Sequence, residues 1–217
     1  MDATTLTSFT DLLIDDLTLP ATGDARSIGE TLDQPRLVLD ETEVLALMVG
    51  AVRLRTVADY LISRTVVAAE RLAIPHRKHL KKGADLLTAL GVAPAVAYRA
   101  ARVGHAAGAL PTVTRDLRDG HLSIEHADAI GKGLAHITDR VDLDDTQQAT
   151  IIRTLKSHTT PADITTCARA LAIELAPTPE QAGDDYLPAA ENHVLNDMTL
   201  HQNDEGRIVG EFDLDVL

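Results

Sequence analysis

One tyrosine and two arginines lie close together within one short stretch of the chain, Ala84 to Gly104. Tyr98, Arg99 and Arg102 fall there at spacings that place them on the outward face of a helix. Arginine can donate hydrogen bonds to a guanine edge or to a phosphate, and small residues before Tyr98 allow close approach to a groove. These residue types and spacings predict that the helix enters the major groove of duplex DNA.

A cluster of basic residues lies just before that stretch. It consists of Arg71, Arg77, Lys78, Lys81 and Lys82, with His76 and His79 between them. Because lysine and arginine bind phosphates whatever the base sequence, Arg77 and the three lysines are expected to contact the DNA backbone. A run of charge is usually only a solvated surface, but this one adjoins the candidate reading helix in an acidic chain, which favours DNA binding.

The net charge of the whole chain conceals a division along its length. The 217 residues carry −13 in total, which by itself argues against a nucleic-acid partner. The segment from Ala51 to Arg118, however, holds 12 Lys or Arg and four Asp or Glu, a net charge of +8. The rest of the chain therefore carries −21, so that one basic segment lies between acidic flanks.

A helix-turn-helix is predicted at about residues 82–104. Gly91 is the residue expected to make the tight turn between the two helices. The positions that such a motif buries are then all apolar: Leu86, Leu90, Val92, Ala97 and Ala100. Leu87 is the misfit, because a smaller residue is commoner there. Any two helices joined through Gly and Pro resemble the motif, so periodicity alone leaves both interpretations open.

Glycine, proline and capping residues divide the chain into the helices that would position these side chains. A long helix is expected from Glu41 to Ile74, begun by a capping box of Asp40 and Glu43 and ended by Pro75. Shorter helices are expected at Thr7–Thr18, His76–Leu90, Pro94–Ala107, Pro111–Asp119, Ser123–Ala135, Asp144–Ser157 and Pro161–Ala176. Ser123 and Thr160 are the expected N-caps of two of these helices.

Apolar residues at alternating spacings of three and four form a stripe along the long helix. They are Val44, Leu47, Ala51, Leu54, Ala58, Leu61, Thr65, Ala68 and Leu72. Such a stripe predicts packing against other helices of the same bundle, and a homodimer through residues 44–72 is the alternative.

The composition predicts an all-α fold, a multi-helix bundle that contains the helix-turn-helix. Aromatic residues make up only 2% of the chain, so the core is expected to consist of Leu, Ile, Val and Ala. Four regions are predicted: an acidic arm at 1–40, a helical domain at 41–176, a linker at 177–192 and a β-hairpin at 193–217. The hairpin strands are expected at about Val194–His201 and Arg207–Leu214, joined by a turn at 203–206.

No set of residues in the sequence predicts catalysis, a metal site or a cofactor site. His76 and His79 have the spacing of two ligands on one helix face, yet no Cys or third well-spaced ligand accompanies them. Ser123, His126 and Asp128 lie on one helix that Ser123 caps, which argues against a hydrolase triad.

The cellular location is predicted from what the sequence lacks. The single cysteine, Cys167, cannot form an internal disulfide and is expected to be an inert, small apolar residue on the Pro161–Ala176 helix. The first residues lack the basic region and apolar run of a secretory signal, and no stretch reaches the roughly 18 apolar residues of a membrane span. We therefore expect a cytoplasmic chain with no membrane partner and no small-molecule substrate.

Three stretches together carry a resemblance to a known family. They are "AERL" near the end of the long helix, "LGVAPAVAYRAARVGHAAGALPTVTRDLRDGHLSIEHADAI" after it, and "DEGRIVGEFDLD" near the end of the chain. In these the chain resembles, from Leu45 onward, the domain-of-unknown-function-222 family, also called the 13E12-repeat family. His126 matches the Gly-x-Leu-Ser-x-x-His-Ala element of that family, and the resemblance implies that its imidazole bonds a neighbouring turn. The middle stretch is also similar, more distantly, to the helix-turn-helix region of ParB-type DNA-binding proteins.

The family resemblance implies a DNA-binding N-terminal domain of a protein that ends in an HNH nuclease, an architecture common in actinobacteria and their phages. The chain ends at Leu217, before any such domain, and the string "ENHVLND", with His193 and Asn196, lacks the rest of an HNH site. We therefore expect a truncated chain that binds duplex DNA and carries no nuclease chemistry. The alternative is a helical protein-interaction or dimerisation module that does not bind DNA, in which the acidic arm could cover the basic cluster.

Overall fold

The computed structural model describes residues 3–18, 27–32, 40–175, 197–202 and 208–213. Most of these residues are helical, which confirms the all-α prediction. The predicted linker at 177–192 and the predicted turn at 203–206 lie outside the described residues.

The helices follow one another with short connections after residue 40. They are α1 (Ala3–Thr18), α2 (Ile28–Leu32), α3 (Glu41–Arg71), α4 (Ile74–Arg77), α5 (Gly83–Ala89), α6 (Pro94–Ala106), α7 (Pro111–Arg118), α8 (Ile124–Thr138), α9 (Asp145–Lys156) and α10 (Pro161–Leu175). Two strands, β1 (Asp197–Gln202) and β2 (Ile208–Asp213), pair antiparallel, with Asp197 opposite Asp213. None of the described helices is both long enough and apolar enough to cross a membrane.

The chain divides into two compact units within the long helix α3. The N-terminal unit is Met1–Arg55 and the C-terminal unit is Thr56–Leu217. The sequence predicted a boundary at residue 40, where the capping box starts the helix. The helix does start there, since Asp40 and Glu43 exchange hydrogen bonds of 2.8 and 3.0 Å. The side chains of α3 begin to be buried only from Thr56 onward, which places the boundary between units inside the helix.

The core of the C-terminal unit is built around α8. Ile124, Ile130 and Ile137 of this helix are fully buried, together with Leu155 of α9 and Ile164 of α10. Among the described residues, the buried apolar side chains other than Pro75 are Val, Leu, Ile or Ala, as the low aromatic content predicts. Gly133 lets α10 approach α8, because a Cβ atom there would lie 2.8 Å from the Cβ of Ala168. Close packing of small and branched residues therefore replaces the missing aromatic volume.

The stripe predicted on α3 does not face this core. In the C-terminal unit α3 buries Thr56, Ser63, Val66 and Val67, whereas Ala58, Thr65, Ala68 and Leu72 of the stripe are exposed. The predicted helical spacing of three and four residues is also that of the buried residues. The buried residues, however, are shifted by two positions along the chain from the stripe, which places them about 200° from it round the helix. The buried face of α3 is set by the close approach of α6, which crosses α3 at Ser63. The polar Ser63 can be buried there because its hydroxyl donates to the Tyr60 carbonyl at 2.7 Å.

The predicted helix His76–Leu90 is wrong, because the structure has two short helices with a turn between them. His79 has a left-handed φ of 59°, and the Leu80 N–H donates to the Pro75 carbonyl at 2.9 Å. Lys82 is extended, and its N–H donates to the Asp85 carboxylate at 3.0 Å as α5 begins. No Gly or Pro marks this turn, so local sequence signals missed it. Lys78, Lys81 and Lys82 therefore lie on an irregular segment, not on a helix.

Ser123 caps α8 as predicted, and its loss gives a measurable test of the fold. Its Oγ accepts the His126 N–H at 3.3 Å, and His126 Nδ1 lies 2.8 Å from the same oxygen. Ser123→Ala should lower the free energy of unfolding by about 1 kcal/mol in urea denaturation. Ser157→Ala is the control, since that exposed hydroxyl donates only to the Thr154 carbonyl, and its effect should stay within about 0.5 kcal/mol. Equal effects would show that the cap is not stabilising.

Candidate nucleic-acid interface

The basic strip, which we define as Arg71, Arg77, Lys78, Lys81 and Lys82, lies on the segment that joins α3 to α5. All five side chains are exposed. The sequence has no Asp or Glu between residues 71 and 84. Within the described part of the chain, no carboxylate lies within ion-pair distance of these five cations. The strip is therefore a surface of positive charge in a protein whose net charge is −13.

The carboxylate of Glu70 holds the segment that carries the strip in place through hydrogen bonds. Its Oε1 accepts the Gly83 N–H at 2.7 Å, and its Oε2 lies 2.5 Å from His105 Nε2. A Cβ atom at Gly83 would overlap Val66 and Glu70, so glycine is needed for this approach. One side chain thus joins the end of α3, the start of α5 and the end of α6.

These contacts lower the pKa of Glu70 below its ordinary value. Partial burial raises the pKa, and this is the largest single influence. The hydrogen bonds with His105 and with the Gly83 N–H lower it, and electrostatic attraction to His105 and Lys82 lowers it further. The balance favours the ionised carboxylate, which is the form that accepts both hydrogen bonds.

A cleft of about 500 Å³ opens beside the strip, between α3 and α6. Arg64 and Arg71, seven residues apart on α3, both line it, together with Glu70 and its partner His105. Arg64 therefore adds a further cation beside the strip, while the Glu70 carboxylate lies in the same cleft.

Helices α5 and α6 pack together and are joined by the four residues 90–93. Gly91 has a φ of 93°, so it makes the left-handed turn that its type predicts. Ala97 and Ala100 are buried as expected. Leu90 is the error, because it is 74% exposed and Leu87, the misfit of the sequence pattern, fills the buried position instead. Helices α5 and α6 are therefore joined by a tight turn, and the buried contact in the first of them is made by Leu87 in place of Leu90.

Two of the three predicted reading residues point at another helix of the protein. Arg99 Nη1 lies 3.0 Å from Glu125 Oε1, and the Arg102 guanidinium makes two bonds of 2.8 and 2.9 Å with the Asp128 carboxylate. The hydrogen bond to Asp128 raises the pKa of Arg102. Both arginines lie on α6 as predicted, but their charges are neutralised by α8. They hold α6 against α8 in this structure.

Tyr98 lies on the solvent-facing side of α6 and is 40% exposed. Its hydroxyl donates to Asp85 Oδ1 at 3.1 Å, and the Lys82 ammonium lies 6.0 Å from its ring centre. The hydrogen bond to Asp85 raises the pKa of the tyrosine hydroxyl. Ala93 and Ala95, before it in the chain, are also exposed. Tyr98 therefore links the outer face of α6 to one end of the basic strip.

Sequence reasoning missed the acidic side chains that organise this surface. Glu70, Glu125 and Asp128 each bind a partner 26 or more residues away, except for the Glu70 contact with Gly83. Neither helical periodicity nor capping patterns report contacts at such separations. Glu70 alone was within reach of sequence reasoning, because it precedes Arg71 on α3, whereas Glu125 and Asp128 lie on α8, which carries none of the predicted DNA-binding residues.

The other chemically active residues make local contacts. His126 Nε2 lies 2.7 Å from the Thr159 carbonyl oxygen, which confirms that this imidazole bonds a neighbouring turn. Cys167 is half-buried against the core of the C-terminal unit. His76 and His79 are exposed, and the described residues contain no group of three or more His, Cys, Asp or Glu that could hold a metal ion. His193 and Asn196 lie outside the described residues.

Comparison of the chain with models of protein families, with curated proteins and with solved structures found no match. The resemblance to the domain-of-unknown-function-222 family and to ParB-type proteins therefore stays a prediction from the motifs.

Proposed function

We propose that the protein binds duplex DNA, with the basic strip on the phosphate backbone and the outer face of α6 towards the major groove. The observation that carries this proposal is the exposure of all five cations of the strip, none of which has a carboxylate within ion-pair distance in the part of the chain that the structure describes. A surface that neutralises phosphates releases counterions, which favours binding even for a chain of negative net charge.

The roles within α6 differ from those predicted. Breaking the bidentate pair of Arg102 with the nine-tenths buried Asp128 would leave a carboxylate without its partner, which is costly. We therefore assign Arg99 and Arg102 to positioning α6. Tyr98 and the small residues before it are left to meet the groove, as in the docking of a helix-turn-helix.

The test compares two triple variants that change the net charge equally. Lys78→Gln, Lys81→Gln and Lys82→Gln remove three charges from the strip. Because each phosphate contact contributes about 0.9 to the slope of log K against log salt, the slope should fall by about 2.7 and the affinity by about tenfold or more. Fluorescence anisotropy with a labelled duplex over a salt series measures both quantities.

The matched control removes three exposed charges elsewhere on the C-terminal unit, with Lys132→Gln, Arg153→Gln and Arg169→Gln. Its affinity and salt slope should stay close to those of the native chain. If the two triple variants behave alike, or if the native chain fails to bind duplex DNA at low salt, the strip is not a phosphate-binding surface.

A protein-interaction module is the second candidate, and one observation favours it. Large apolar side chains of the N-terminal unit, in both α1 and the first half of α3, are exposed. The two functions occupy different surfaces of the chain. If the native chain does not bind duplex DNA at low salt, only this candidate is left.

In the architecture that the family resemblance implies, DNA binding by this chain would place an HNH nuclease on its substrate. That role rests on duplex binding, so the same anisotropy experiment is its first test.

A further inference from the structure

The first half of α3 is apolar on every side. From Val44 to Val52 all nine residues have apolar side chains or none. A helix that is hydrophobic all round is normally buried. In this structure Val44 and Leu47 are half-buried and the other seven residues are exposed.

The largest of these side chains form one continuous surface. Leu45, Met48, Val49 and Val52 are between 52% and 66% exposed. Single exposed apolar residues are ordinary on proteins, but four within two helical turns mark a surface that another molecule covers.

Two opposite charges flank this run symmetrically. Glu41 lies three residues before Val44, and Arg55 lies three residues after Val52. Met48 is seven residues from each of them, and a separation of seven returns a helix to nearly the same face. Glu41, Met48 and Arg55 therefore lie in one line along α3, acidic at one end, apolar in the middle and basic at the other.

We propose that this face of α3 pairs with the same face of a second copy of the chain, antiparallel, about a two-fold axis at Met48. Glu41 of each copy then faces Arg55 of the other, and Met48 meets Met48. The apolar residues also match about this centre, since Val44 meets Val52 of the other copy. A two-fold contact needs a self-complementary surface, and this segment has one in both charge and hydrophobicity.

The antiparallel direction follows from the charges. A parallel pair would set Glu41 against Glu41 and Arg55 against Arg55, and like charges at facing positions are unfavourable. A different protein as partner would need no symmetry about Met48. The proposed interface uses none of the residues of the basic strip, so its test and the test of DNA binding can fail independently of each other.

The first test is the mass of the chain in solution as a function of concentration. Sedimentation equilibrium should give twice 23.3 kDa at high concentration. Met48→Glu places two like charges against each other at the axis and should raise the dimer dissociation constant about 100-fold or more. Ala46→Glu is the matched control, because residue 46 lies about 200° from Met48 round the helix and adds the same charge. It should leave the dimer intact.

A charge swap tests the direction of the pair. Glu41→Arg alone and Arg55→Glu alone should each weaken the dimer, and the two changes together should restore it. Circular dichroism of each variant checks that α3 is still helical. A native chain of 23.3 kDa at all concentrations, equal effects of the two glutamate variants, or single charge changes without effect would each overturn the proposal.

Discussion

Gly104→Ala should destabilise the C-terminal unit by about 3 kcal/mol. Gly104 lies on α6 where it crosses α3. A Cβ atom there would overlap the carbonyl oxygen of Ser63 and lie 2.8 Å from Cγ2 of Val67. A side chain could rotate away from such a contact, but a helix carbonyl cannot, so the two helices must move apart.

Urea denaturation at neutral pH measures this effect, and the melting temperature should fall by roughly 6–12 °C. Gly108→Ala is the matched control on the same part of the chain. A Cβ atom at Gly108 has nothing within 4 Å, so its effect should stay within about 0.5 kcal/mol. If the two alanine variants are equally stable, the close crossing of α3 and α6 does not exist in solution.

The crossing at Gly104 explains why the stripe on α3 was misassigned. Periodicity identifies a helix and counts its apolar residues, but the buried face is chosen by what packs against it. Here α6 meets α3 at Ser63 with a glycine, and the polar hydroxyl is satisfied within its own helix. A sequence pattern that ranks positions by hydrophobicity cannot find a face defined by small residues and backbone contact.

The ends of helices were predicted more accurately than the buried face of α3, at positions where the residue type determines the backbone conformation. Ser123 caps α8, Thr160 and Asp163 share a hydrogen bond at the start of α10, and Gly91 and Gly120 adopt positive φ. The turn between α4 and α5 escaped because His79, a residue with no strong preference for that conformation, supplies its left-handed φ. Local chemistry predicts the ends of helices only when the residue at the end is specialised for them.

The charges of the candidate site also show that local sequence patterns predict only contacts between residues close in the chain. The basic strip was visible because its members are close in sequence. The neutralisation of Arg99 and Arg102 was not, because Glu125 and Asp128 lie 26 residues further on. Which arginines remain available to DNA is therefore a property of the packing of α6 on α8, not of the spacing within α6.

Glu70→Ala should lower the free energy of unfolding by about 3 kcal/mol at neutral pH. The substitution leaves the buried Gly83 N–H without its acceptor and removes the bond to His105, both of them bonds to a charged group. Glu70→Gln keeps an acceptor oxygen and should cost only about 1 kcal/mol. Asp139→Asn, at an exposed position, is the control for loss of one negative charge, with an expected effect within about 0.5 kcal/mol.

The pH dependence follows from the sign of the pKa shift of Glu70. Its pKa in the folded protein lies below the ordinary value of 4.5. The ionised carboxylate therefore contributes its full stability above pH 4.5, and this contribution is lost as the pH falls through the lower pKa of the folded state. The stability difference between the native chain and Glu70→Gln should therefore shrink as the pH falls below 4.5. A difference that stays constant to the lowest pH at which the chain folds would contradict the assignment.

DNA affinity separates the positioning role of Glu70 from its charge. Removal of a negative charge beside the basic strip should, by electrostatics alone, tighten binding to DNA. Loss of the bonds to Gly83 and His105 instead frees the start of α5 and the segment that carries the strip. We expect Glu70→Ala to weaken duplex binding about fivefold, as for a loss of about 1 kcal/mol, and Asp139→Asn to leave it unchanged or slightly tighter. Tighter binding by Glu70→Ala would mean that the position of the strip does not depend on the bonds of Glu70, and that its cations contribute to binding only through their charge.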